Sequence, residues 1–248
     1  MAVNVNTVYQ TVLALANKEQ RGYITPQEFN LFARLAQKEI FEQYFYDINQ
    51  FKRLPAYNDY STDPCDVIYD KLTKFVVSGY DADLNASNPT AATNKRFDLP
   101  TNFYKFHRAQ TSLTSTGVEI EKLGKKEFFD AMRSPLTRGT NKRPIMYIDT
   151  GAMSIWVNSD NVPDVLTTIN FSYYRIPSEP KWTYTVINNK PLWNPSVSAG
   201  AKHFEIHPAE ESRLVYKILQ MAGVAIEDPA VTQVAGQAEA NIIGQQKQ

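Results

Sequence analysis

This chain carries one cysteine, Cys65, so it cannot build an internal disulfide framework. That usage fits a reducing cytosol, or assembly within one. An excess of charge of either sign is also missing: 26 Lys and Arg balance 26 Asp and Glu, and the pI is about 6.8. Nucleic-acid binders usually advertise a basic surplus. Local clusters such as Lys125–Lys126 and Lys142–Arg143 therefore read as solvated loop charge. No apolar run is long enough to span a membrane. The opening residues, MAVNVNTVYQ, lack the basic start and apolar middle of a signal peptide. Neither a phosphate-cradling glycine loop nor a dinucleotide-binding glycine pattern occurs. There is no internal repeat and no long low-complexity linker.

What is present is packing potential. The 248 residues suffice for one large domain, or for a core domain plus an extension. Hydrophobic residues at 43% and charged residues at 21% are ordinary for a globular chain. Aromatics reach 12%, with 14 Tyr and 13 Phe, and such residues give large contact area with few rotors. The strongest local signal is Thr25–Tyr46. Thr25 suits an N-cap, Pro26 the first helical position and Glu28 the third, which together make a capping box. Phe29, Phe32, Ala33, Ala36, Ile40 and Tyr44 then recur at helical spacing, flanked by a second row of Leu31, Leu35, Phe41 and Phe45. Asn30, Arg34, Lys38 and Glu42 make the polar strip. An apolar face this wide predicts packing against two or more elements, or against another subunit.

Around that stretch the chain runs from helix to strand and back. A first helix is expected over Asn6–Gln20, capped by Asn6, with Val8, Val12, Leu15 and Ala16 inside and Gly22 ending it. The organising helix can extend through Ile48 and Phe51 before Pro55 stops it. Asp63–Pro64 starts a third helix that buries Val67, Ile68, Leu72 and Phe75, and Asp81–Asn94 reads as loop. The period then changes to two. Strands are expected at Arg96–Leu99, Phe103–Thr111, Val118–Leu123, Pro144–Ile148, Met153–Val157 and Thr167–Tyr174, with a short helix at Lys125–Arg133 and a hairpin turn at Asp149–Ala152. Arg175–Ala201 reads as an ordered aromatic–proline loop around Trp182 and Trp193. Pro208 opens a further helix that buries Leu214, Val215, Ile218, Leu219 and Ala222 and ends near Gly223. Asp228–Pro229 starts a Gln- and Ala-rich segment that is marginal as a helix by itself.

This order predicts an α+β fold: an antiparallel helical bundle of N- and C-terminal helices with an inserted antiparallel β-region. The expected divisions are 1–94 helical, 95–201 β-region with the aromatic–proline loop, 202–227 a helix packing on the bundle, and 228–248 an extension ordered by a partner.

Chemistry is sparse. His203 and His207 flank Glu205 in HFEIH and are weak zinc candidates. The spacing is not that of a metalloprotease, because the Glu falls midway and Pro208 ends the element. His107 has no serine on a Gly-flanked elbow to partner it. Cys65 sits at a helix start, where a thiol pKa can fall, but no pattern ties it to a histidine. Asp81/Asp83 and Glu119/Glu121 are acidic pairs of a kind common to most chains. Asp81–Asn85 begins like a calcium loop, without the turn glycine or the closing Glu. No enzyme activity, cofactor or firm metal site is expected.

Three runs carry a resemblance: NTVYQTVLALANKEQRGYITPQEFNLFARLAQKEIFEQYF; the central RFDLPTNFYKFHRA, YIDTGAMSIWV and INFSYYRIPSEPKW; and FEIHPAEESRLVYKILQMAGVAIEDP with its Gln-rich tail. In this pattern, which spans most of its length, the chain resembles the ring-forming tail and head-to-tail connector (adaptor) proteins of short-tailed bacteriophages, particularly those of crAss-like phages and their marine relatives. The resemblance implies a virion structural protein, made in the host cytoplasm. It implies a closed ring of about twelve copies that joins portal to tail, contacts other tail or ring proteins and surrounds a DNA channel, away from any membrane. It brings no catalytic residues. It also implies that the segment from Asp228 grips a neighbouring ring, and the polarity of that segment calls for hydrogen-bonded contacts.

Balanced charge suits a channel through which DNA slides, because each phosphate gripped adds affinity. Interface candidates are Tyr174, Arg175, Trp182 and Trp193, expected to be exposed, and Asp228, Ile242 and Ile243 in the tail. The competing expectation is a carbohydrate-binding or glycan-degrading tail component, in which Tyr173, Tyr174, Trp182 and Trp193 stack on sugars and an acidic pair acts as acid and base.

Overall fold

The computed structural model describes residues 3–18, 24–51, 64–83, 94–111, 117–140, 142–151, 154–158, 168–196, 200–225 and 229–246. The fold is α+β, and the chain divides into two compact units: residues 1–74 together with 177–248, and residues 75–176. Among the described residues the first unit holds α1 (Val5–Lys18), α2 (Pro26–Phe51), α3 (Pro64–Thr73), the strands β8 (Tyr184–Ile187) and β9 (Lys190–Trp193), α5 (Glu211–Ala225) and α6 (Pro229–Gln246). The second holds β1 (Val76–Asp83), β2 (Asn94–Asp98), β3 (Phe103–Thr111), β4 (Glu121–Lys122), α4 (Lys125–Arg133), β5 (Ile145–Asp149), β6 (Ser154–Asn158) and β7 (Thr168–Arg175). The aromatic–proline stretch thus belongs with the helices, and the second unit begins at Phe75, ahead of residue 95.

Helix α2 starts as its sequence predicts. The Thr25 hydroxyl accepts from the Glu28 N–H at 3.3 Å, and the Glu28 carboxylate accepts from the Thr25 N–H at 2.9 Å and the Thr25 hydroxyl at 2.7 Å. These bonds, that from the Thr25 backbone first, hold the Glu28 carboxyl below its ordinary pKa. The ionised form is therefore favoured in the folded chain. Its support for the cap is present at neutral pH and is lost as pH falls through the lowered pKa. Thr25→Ala is expected to cost about 1 kcal/mol at neutral pH. Urea titrations of both proteins in progressively more acid buffer should show that difference narrowing.

The first apolar row of α2 is inside, with Phe29, Ala33, Ala36, Ile40 and Tyr44 buried. The second row splits: Phe41 and Phe45 are buried, but Leu31 and Leu35 stay 50% and 42% exposed. Helices α3 and α5 pack on α2, and α1 and α6 pack on α5. The cap of α1 is Asn4, whose Oδ1 accepts from the Asn6 N–H at 2.8 Å. Asn6 is displaced from the expected capping role because its own Oδ1 accepts from the Trp182 indole N–H at 3.1 Å. Leu15 and Val67, both expected inside, are 37% and 55% exposed. Gly223 lies within α5, since with α6 packed alongside the helix runs on to Ala225. Residues 229–246 form α6 against α5 of the same chain, with Ala235 and Glu239 buried. Gly22, Asp63 and Asp228 lie outside the described residues.

Among the described residues the second unit contains two sheets, ordered β1-β7-β3 and β2-β6-β5-β4. All strand pairs are antiparallel except the short parallel pair β4–β5. Ile169, Phe171 and Tyr173 of β7, Phe97 of β2, Met146 of β5 and Ile155 of β6 share one buried core, so the period-two pattern places its apolar face as expected. Phe128 of α4 packs on Tyr147 with ring centroids 4.8 Å apart. Strand β1 runs through Val76–Asp83, where the sequence suggested a helix end and a loop, because β7 offers it a full antiparallel partner.

Candidate functional site

Two amides on one face of α2 build the candidate site. Asn30 Nδ2 donates to the Trp182 carbonyl at 3.0 Å, while its Oδ1 accepts from the Trp182 N–H at 2.7 Å. Seven residues on, the buried Gln37 donates to the Ser178 carbonyl at 2.7 Å and accepts from the Glu205 N–H at 3.1 Å. Satisfied at both ends, these amides pin the aromatic–proline segment along the helix, because a buried amide left unpaired is costly. The sequence shows them only as polar residues on or beside the polar strip.

The pinned segment presents two surfaces. The first is a hairpin. Asn188 and Asn189, at φ 50° and 59°, form the two-residue turn between β8 and β9, a conformation that Asn tolerates better than most residues. The base of the hairpin is anchored: Trp182 stacks on Tyr184 at 5.6 Å and Trp193 at 5.8 Å, and the Thr183 hydroxyl donates to the Asn194 carbonyl at 2.6 Å. The half nearer the turn is uncovered on both faces. Val186, Ile187 and Leu192 are 63%, 54% and 48% exposed. A two-stranded ribbon is marginal in water by itself, and this one holds its apolar residues out.

The second surface is an open cleft of about 550 Å³ beside the N-terminal half of α2, lined by Leu31, Arg34, Glu179, Lys181 and Lys202 among others. Arg34 and Glu179 form an exposed ion pair at 3.3 Å. Lys181 and Lys202 lie opposite each other in an antiparallel bridge, joined by backbone bonds of 3.0 and 3.1 Å. Gly200, at φ 83°, makes the turn that brings Lys202 there.

Of the residues singled out from the sequence, Trp182 and Trp193 form the stacked base of the hairpin. Trp182 and Tyr174, expected to be exposed, are 1% and 7% exposed. Trp182 is covered by Tyr9 at 4.2 Å and fixed by Asn6; Tyr174 sits in β7 between β1 and β3. Arg175, Trp193, Ile242 and Ile243 are partly exposed. With Tyr173 also buried, three of the four aromatics assigned to a sugar platform are unable to present a ring face. Glu121 is bound by Arg143 at 2.9 Å, and Glu119 lies 3.6 Å from Arg108, so each of these carboxylates has its own cation.

His203 Nδ1 accepts from the Val5 N–H at 3.3 Å, and His207 Nδ1 accepts from the Ala209 N–H at 3.2 Å, capping a 3₁₀ turn at Pro208–Glu210. Glu205, between them, accepts from the Ser178 N–H at 2.9 Å. Among the described residues no group of three or more His, Cys, Asp or Glu side chains is placed to hold a metal. The His107 ring rests edge-on against Tyr174 at 5.3 Å. The side chains of Cys65, Asp81 and Asp83 lie outside the described residues. No helix among the described residues is long and apolar enough to cross a membrane.

Neither a protein-family model nor a curated protein matches this chain.

Proposed function

We propose that this chain is a structural subunit of a virion, one copy of a ring in the tail or head-to-tail connector of a short-tailed phage. The body of the subunit is a helical bundle of N- and C-terminal helices with an inserted β-region. Copies meet around a channel that DNA crosses without being gripped, and the ring joins portal to tail proteins. The observation that carries this reading is the β8–β9 hairpin, with Val186, Ile187 and Leu192 held out on a stacked aromatic base. Ordered, exposed apolar residues on a projecting ribbon fit a surface that another chain covers. The resemblance to connector proteins and the balanced charge add to it.

The test changes the exposed apolar residues of the hairpin. Val186→Ser/Ile187→Ser/Leu192→Ser should leave the circular dichroism spectrum and melting temperature near those of the parent chain. The mass in solution should fall from a ring to a monomer, and uptake into particles should be lost. A parent chain that is monomeric at every concentration and absent from purified particles would overturn the reading. Deleting α6 is a poorer test, because it strips Glu239 from Lys217, 3.1 Å away, and from the buried Arg213.

A further inference from the structure

We propose that the outer face of α3 on one copy docks in the basic cleft beside α2 on the next, with Asp66 and Asp70 meeting Lys181 and Lys202. This contact rests on the ring reading for its repetition around a closed assembly.

Two surface arrangements are unfavourable in the lone chain. Lys181 and Lys202 are directly opposed across an antiparallel bridge, where the Cα atoms of a hydrogen-bonded pair stand about 5.5 Å apart. Like charges so placed repel. Among the described residues neither ammonium has an ion-pair partner. On α3, Asp66 and Asp70 sit four residues apart and exposed, a spacing that brings like charges within about 5–6 Å at the Cβ atoms. They too have no ion-pair partner among the described residues. Each pair therefore carries a repulsion that the other would relieve. The cleft has three cations and one anion, with Arg34 and Glu179 already paired, which leaves two positive charges for the two carboxylates.

Apolar surface sits where that register needs it. Val67, on the flank of α3 beside the carboxylates, is 55% exposed, and Leu31, in the wall of the cleft, is 50% exposed. The two faces do not overlap. Lys71 of α3 lies 6.0 Å from the Tyr44 ring, whereas the cleft takes in Leu31 and Arg34, so the faces are separated by roughly 15–20 Å along α2. Two different patches at opposite ends of one helix make a heterologous, head-to-tail contact, which repeats from copy to copy and gives a ring when the rotation closes. Charge complementarity of this sort also sets register and suppresses wrong partners.

The contact is tested by disulfide trapping in the full chain. With Cys65→Ser removing the native thiol, Leu31→Cys and Val67→Cys are made separately and together. Under mild oxidation the two single variants should give dimer only when mixed, and the double variant should give a ladder ending in a closed species. Lys181→Glu/Lys202→Glu in the Leu31→Cys chain should abolish the mixed dimer. Asp66→Lys/Asp70→Lys in its Val67→Cys partner should restore it. Absence of the mixed dimer overturns the contact, as does a dimer that survives charge reversal. If the unmodified chain nevertheless has a ring mass, the ring reading stands and another face makes the contact. If the unmodified chain is monomeric and absent from particles, both fall together.

Discussion

Glu210→Gln is expected to destabilise the helical unit by about 3–5 kcal/mol. Glu210 is fully buried in the 3₁₀ turn that leads into α5. One carboxylate oxygen accepts from the Lys71 ammonium of α3, and the other lies 3.4 Å from the Arg213 guanidinium. Lys71 and Arg213 are themselves 8% and 3% exposed. Arg213 Nε is a further 3.8 Å from Glu239 of α6, a separation that leaves an ion pair and no hydrogen bond. Four charges, on three helices and the 3₁₀ turn that precedes α5, thus share one dry site. Gln keeps the shape of Glu210 and removes its charge, which leaves two buried cations facing a neutral amide. Tyr44 lines the same site: burial first, and then the Glu210 charge, raise its phenol pKa, so it offers no anion in exchange. Lys71→Met/Glu210→Leu should cost clearly less than Glu210→Gln, because removing both ions removes both desolvation penalties. Urea unfolding followed by far-ultraviolet circular dichroism measures the two. A loss below about 1 kcal/mol for Glu210→Gln would place the pair in the class of exposed ion pairs.

That network explains what the sequence conceals about the helical unit. Helix α2 is legible because its signals are local: a capping box and an apolar row at one spacing. The strands of the second unit are legible for the same reason, since alternation in Thr168–Arg175 survives any choice of partner. Helix α6 is not, because its docking rests on Glu239 meeting Lys217 and Arg213, and no periodicity marks a carboxylate as buried. Nor is strand β1, where pairing with β7 overrides the weak propensity of Gly79 and the Asp residues. The β8–β9 hairpin escapes notice because its strands are four residues each, its turn is Asn-Asn in place of Asn-Gly, and Pro191 demotes the second strand to an edge. The cleft is assembled from residues about 150 positions apart in sequence, joined by Asn30 and Trp182. Aromatic content did flag the right segment, but it chose the anchors and missed the aliphatic residues that those anchors hold out.

The Trp182→Ala substitution separates these two roles. Its expected cost is about 3–5 kcal/mol, in the range for emptying a buried aromatic site. The indole is 1% exposed, is covered by a tilted Tyr9 ring, stacks on Tyr184 and Trp193, and donates to Asn6 at 3.1 Å, while its backbone holds Asn30. Removing it opens a cavity between α1 and the hairpin base and leaves Asn6 Oδ1 without that donor. Trp182→Phe keeps much of the packing and drops the hydrogen bond, so it should fall between parent and Ala. Any loss of assembly in Trp182→Ala should therefore track the loss of folded protein, read by thermal melting at matched concentration. The hairpin variant at Val186, Ile187 and Leu192 should instead lose assembly while its melting temperature holds. If Trp182→Ala kept the parent melting temperature and lost assembly alone, the indole would have to face a partner, and the stacked base could not be the anchor from which the hairpin projects.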